Sequence, residues 1–104
     1  MTKDIASNLR YNTVVSGERQ GSATAVQLPD VPCELAWISA QDDNAGQVYL
    51  GGAGVTVPNG TTDVTSGLQL QAGDTIGPLP ISNLNILFII CDNAGDDISF
   101  LVLR

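Results

Sequence analysis

The chain has no histidine among its 104 residues, which excludes Ser-His-Asp and Cys-His catalysis and every His-ligated zinc or iron centre. Positive charge is nearly missing too. Lys3, Arg10, Arg19 and Arg104 stand against eleven Asp and Glu, for a formal net charge of -7. Such a chain repels phosphate backbones and anionic membranes, and Ser22 to Leu103 hold no Lys or Arg from which to build a basic groove. No apolar run approaches the roughly 20 residues of a membrane span. The segment from Met1 to Asn8 lacks the basic start and apolar stretch of a secretory signal, so synthesis in a cytoplasm without export is expected. Cys33 and Cys91 are the only cysteines. They stand far apart within apolar runs, fit neither a metal motif nor a dense disulfide framework, and read as buried free thiols ahead of a disulfide.

What is present is a core. Hydrophobic residues make up 43% of the chain and charged residues 14%, the balance of one folded domain rather than a disordered segment. Residues 1–20 are polar, with Ser7, Asn8, Asn12, Ser16 and Gly17 and few apolar anchors, and are expected to form an N-terminal arm or leader. Residues 21–104 are expected to form a single β-sandwich domain. There, short apolar runs are cut by Gly, Pro, Asn and Asp at intervals of about eight to twelve residues, the texture of all-β folds. Leu68-Gln69-Leu70-Gln71-Ala72 alternates with the period of two that half-buried strands require. Cys33 to Ala40 begins in alternation and becomes apolar on both faces, and Gln47 to Leu50 is short and β-prone.

The tetrapeptide Asp-Asn-Ala-Gly occurs twice, at 43–46 and 92–95, each time between two β-prone runs, which reads as hairpin turn chemistry. The prolines of Gly77-Pro78-Leu79-Pro80 place that piece at a sheet edge or crossing loop. The predicted fold is all-β: a two-sheet sandwich of jelly-roll or Greek-key type with about eight short strands and a polar N-terminal arm. Ile86 to Cys91 and Phe100 to Leu103 are apolar on both strand faces, so something must cover their second face. A long loop, the N-terminal arm or a symmetric copy would each serve, and Leu87, Ile89, Leu101 and Leu103 are the candidate contact residues.

Chemistry is sparse. Asp74-Thr75-Ile76-Gly77 is superficially like an aspartic-protease motif, but Ile76 fills the position that needs Gly, and a turn Asp entering a strand explains it better. Asp42, Asp43, Asp92, Asp96 and Asp97 supply the hard oxygens that Ca²⁺ prefers and form a candidate cation site. Their spacing matches no established ion-binding loop, so solvated turns are the favoured reading, with no metal or cofactor expected. Gly51, Gly52 and Gly54 lack the lysine and helix of a phosphate loop and read as a bend or bulge. Trp37 and Tyr49 would stack on a sugar if exposed, although core packing is the expectation for both.

One ordered set of motifs goes further. Trp37 through Gly46, then Val48-Tyr49-Leu50-Gly51-Gly52, then Leu70-Gln71-Ala72-Gly73-Asp74, then Asn83 through Ile90 and Ala94-Gly95 follow one another over about 70% of the chain. This stretch, from about Val31 to Leu103, resembles a recurrent β-sandwich module of tailed-bacteriophage virion proteins, and at this size is most similar to head decoration (cement) proteins. The resemblance implies a non-enzymatic viral structural protein on the outer capsid surface of the virion. It would bind the major capsid protein, assemble with itself as a homotrimer, and stabilise the shell without nucleic acid, membrane or small-molecule substrate. Lys3, Arg10 and Arg19 of the arm would then reach an acidic neighbour. A tail, baseplate or fibre component, or a glycan-binding β-sandwich module using Trp37 or Tyr49, is the alternative.

Overall fold

The computed structural model describes residues 13–60 and 64–104. Eight strands follow in order: β1 (Val14–Gln20), β2 (Val26–Gln27), β3 (Leu35–Ala40), β4 (Val48–Gly51), β5 (Leu68–Leu70), β6 (Thr75–Leu79), β7 (Phe88–Cys91) and β8 (Asp97–Leu103). A single 3-10 turn, Leu84–Ile86, precedes β7. The strands form two four-stranded sheets, ordered β1-β8-β3-β6 and β2-β7-β4-β5, which we call sheets A and B. Every strand pair in both sheets is antiparallel. The protein is thus the all-β, two-sheet sandwich that the alternation predicts.

The pairings nest: β4 with β5, β3 with β6, β2 with β7 and β1 with β8. Two further pairings, β3 with β8 and β4 with β7, close the sheets. Strict alternation places the core. Ala36, Ile38 and Ala40 of β3 and Ile98, Phe100 and Val102 of β8 face Val48, Leu50, Ile89 and Cys91 of sheet B. Two facing sheets need only one apolar face each, and a period-two pattern supplies it. Gly17 is the small residue that this packing demands on β1, since a Cβ there would lie 2.8 Å from the Phe100 ring.

The structure departs from the sequence expectation in three places. The sandwich begins before residue 21, because Val14–Gln20 pairs with β8 along its whole length, from Val14 opposite Leu103 to Gln20 opposite Asp97. Polar β1 side chains hid this strand; of its inward positions Val15 and Gly17 are partly buried and Arg19 is exposed, and the other positions face outward at a sheet edge. The rest of the expected arm, with Lys3 and Arg10, lies outside the described residues. Second, the two Asp-Asn-Ala-Gly loops are not hairpins, since each carries the chain from one sheet to the other: β3 to β4 and β7 to β8. Turn residues announce a reversal but not whether the returning strand pairs with its predecessor or crosses the sandwich. Third, the long apolar strand is shorter than it reads, for Leu84–Ile86 is a turn and only Phe88–Cys91 is strand.

Candidate functional site

The second faces of the apolar strands meet two different fates. On sheet B, Tyr49 and Ile90 point away from the core and form a small buried cluster with Val55, against which Val57 and Phe88 pack. Val55 and Val57 belong to the long excursion between β4 and β5, so the chain covers this face itself. Of the covers open to β7, the loop is the one observed. Ile89 is fully buried between the sheets and cannot meet a partner, while Leu87, partly buried, packs against the main core. Alternation cannot say which of two apolar faces is inward, and for β7 the interface expectation fell on the core face.

Sheet A has no such cover among the described residues. Its outward positions are Val14, Ser16 and Glu18 on β1, Ser99, Leu101 and Leu103 on β8, Leu35, Trp37 and Ser39 on β3, and Thr75 on β6. Ser16 and Trp37 both stand opposite Leu101, while Val14 and Leu35 both stand opposite Leu103, which gathers the apolar members at one end of the face. Leu101 is 39% exposed and Val14 63%. Trp37, Leu101 and Leu103 line a shallow depression of about 720 Å³ together with Ser16, Glu18 and Ser99. Ser39 and Thr75 also border it, and there the Thr75 hydroxyl donates to the Ser39 hydroxyl, which donates to the Asp74 carbonyl.

Trp37 therefore packs on the outer face of sheet A, partly buried but outside the cluster of core residues. The indole is held by β6: a Cβ on Gly77 would come within 2.7 Å of the Trp37 ring and 2.8 Å of the Ala36 carbonyl. Gly77 also has φ +144, a conformation that side-chain-bearing residues rarely adopt. Tyr49, the other candidate for stacking, is buried beneath the β4–β5 excursion. Its hydroxyl, 3.1 Å from an Asp92 carboxylate oxygen, is engaged by the chain's own residues.

The acidic turns come together as neighbours, but they bind each other. The Asp96 carboxylate, buried at 8% exposure, accepts the backbone N–H of Ala45 at 3.0 Å and of Gly46 at 2.8 Å. The Asn44 side chain donates to the Asp97 carbonyl at 2.9 Å and accepts the Asp97 N–H at 3.0 Å. Asp92 accepts the Gln47 N–H at 3.2 Å. Of the five candidate cation ligands, Asp92 and Asp96 thus direct their oxygens at the chain's own donors. Asp97 takes part through its backbone, and Asp42 and Asp43 are exposed. No group of three or more His, Cys, Asp or Glu suited to a metal ion occurs among the described residues.

Cys33 and Cys91 are both buried and unbridged. Burial, and then the Asp96 charge, push the Cys91 thiol up to about 11, and burial raises Cys33 as well. Burial and the Asp92 hydrogen bond also raise Tyr49. These groups are more easily ionised in the unfolded chain, so the native state holds its full contribution from them below the ordinary thiol pKa of 9.0. That contribution is lost as pH climbs through about 11. Thermal melts followed from pH 8 upward are expected to be flat at first and then to fall across this window. Native thiols are expected to resist alkylation at pH 8 and to react once urea unfolds the chain.

Comparison of the chain with family models, with curated proteins and with solved structures finds no match.

Proposed function

We propose that this protein is a structural component of a tailed-bacteriophage particle, bound to the outside of the head as a decoration protein. The observation that carries the reading is the apolar end of the sheet A face, with Leu101, Leu103, Leu35 and Val14 beside Trp37 on a rigid antiparallel scaffold. Function resides in such a surface rather than in the fold as a whole. The nested strand pairing, read as a jelly roll, agrees with the ordered motifs that resemble virion modules, and jelly rolls serve both capsid and lectin domains. In this role the major capsid protein is the partner, and many copies each bury a small apolar face across a seam between shell subunits. Shell stability then rises by mass action, with no catalytic group involved. The acidic surface suits the outside of a DNA-filled shell better than its inside.

Particles lacking the protein are expected to assemble but to release DNA at a lower temperature, and added wild-type protein to restore them. Leu101→Lys, which places a charge at an already exposed position, should fold normally and fail to restore them. Particles that keep full heat resistance without the protein would overturn the head assignment.

A second reading is favoured by one observation. Trp37 lines a depression together with Leu101, Ser16, Ser99 and Glu18, a mixture of aromatic and polar groups that suits a sugar. Titration of surface glycans against Trp37 fluorescence checks it. Saturable quenching lost in Trp37→Ala, together with particles that no longer adsorb to cells, would favour a receptor-binding role.

A further inference from the structure

Each sheet leaves two edges, and they are not equivalent. The sheet B edges are β2, of two residues, and β5, of three. In sheet A, the β6 edge carries Pro78, and its register with β3 shifts between Ala36 and Ile38. Short strands, prolines and bulges are among the devices that protect an edge from pairing. The β1 edge has none of these three, and its charged residues, Glu18 and Arg19, are of opposite sign. It is seven residues long, regular in register, free of proline and unpaired on its outer side among the described residues.

The hydrogen-bonding side of β1 follows from its first pair. Thr13 and Arg104 exchange both backbone bonds, with N–H to carbonyl distances of 2.6 and 2.9 Å. Antiparallel ladders alternate between bonded and non-bonded pairs, so Val15, Gly17 and Arg19 bond β8 in turn. The N–H and C=O groups of Val14, Ser16, Glu18 and Gln20 therefore point outward, away from the sheet.

We propose that this edge pairs with the same edge of a second copy, β1 against β1 antiparallel, about a two-fold axis through Gly17. In that register Ser16 stands opposite Glu18 of the other copy and Val14 opposite Gln20, so every outward backbone group of the strand finds a partner. A slip of two residues one way sets Glu18 against Glu18 and leaves Val14 unpaired; the other way leaves Gln20 unpaired. A slip by an odd number turns core-facing residues against outward ones. The two sheets A become one continuous sheet, and both copies present Trp37, Leu101 and Leu103 on the same side. This pairing goes beyond the capsid role and does not depend on it, since it is a property of the isolated chain.

Sedimentation equilibrium of the full-length protein at about 100 μM is expected to give twice the 10.8 kDa of one chain. Ser16→Pro removes an outward N–H that β8 does not use, so the fold should survive while the dimer dissociation constant rises at least roughly ten-fold. A mixture of Ser16→Cys protein with Glu18→Cys protein should form a disulfide-linked dimer on oxidation far more readily than either variant alone. Opposite bonded residues place their Cα atoms about 5.5 Å apart, within disulfide reach. A monomeric or trimeric wild type, or an unchanged dimer in a folded Ser16→Pro variant, would overturn the proposal. If Ser16→Pro does not fold, failure of the cysteine mixture to cross-link would do so. Loss of capsid binding with the dimer intact would overturn only the capsid role.

Discussion

Replacing Asp96 by Ala is expected to lower stability by about 3 kcal/mol, because one carboxylate holds the two inter-sheet loops together. Its oxygens accept the Ala45 and Gly46 N–H groups of the β3–β4 loop from a position on the β7–β8 loop. Hydrogen bonds to a charged group are worth about 1.5–3 kcal/mol, and removal of the acceptor leaves partly buried donors without a partner. The backbone of Asp96 would keep its role, as its carbonyl accepts the Gly21 N–H at 2.8 Å whatever the side chain. The melting temperature of a domain this size should fall by roughly 12–20 °C. Asp96→Asn keeps one acceptor oxygen and should lose about half as much. Calcium should leave the melting temperature of the wild type unchanged, since the Asp92 and Asp96 carboxylates already accept amide hydrogens and the acids form no group suited to a metal ion among the described residues. A calcium-induced rise in wild type that vanishes in the Asp96→Asn, Asp97→Asn double variant would restore the cation reading.

Leu84→Ala is expected to be at least as damaging, at about 3–4 kcal/mol. Leu84 is fully buried in the main core although it sits on a turn rather than a strand. That turn cannot easily move inward to fill the cavity. The Leu84 N–H donates to the Val31 carbonyl at 3.0 Å, and the Asn83 carboxamide accepts from both Val31 at 3.1 Å and Asn85 at 2.9 Å. A site that cannot collapse keeps its cavity and suffers the larger end of the range for such truncations. Chemical denaturation should show a lower midpoint with an unchanged slope, because the surface exposed on unfolding is nearly the same. By contrast Leu101→Ala on the outer face should cost little, as the side chain is already partly in solvent.

These two substitutions mark the boundary of what the chain reveals without its structure. Short apolar runs cut by Gly, Pro, Asn and Asp, with alternation at 68–72 and at the start of 33–40, made the all-β class and the approximate strand number legible. Asp96 and Leu84 were legible only as a turn acid and a strand residue. Nothing local distinguishes an acid that caps a distant loop from one that faces water, and the partners of Asp96 lie about 50 positions away. The site itself was half visible. Leu101, Leu103 and Trp37 were singled out, but Trp37 was placed inward, and Val14, Ser16 and Glu18 were hidden in a stretch too polar to suggest a strand.

The sequence by itself determined that this protein is a β-sandwich with an acidic surface and without histidine chemistry, because composition and a period of two are local properties that need no partner to be read. Tertiary structure alone decided which face of each doubly apolar strand is the core, that the two Asp-Asn-Ala-Gly loops clasp each other, and that the β4–β5 excursion covers sheet B while sheet A stays open. Those outcomes depend on which strand lies beside which, and the chain fixes that order only through the sum of many contacts between residues distant in sequence.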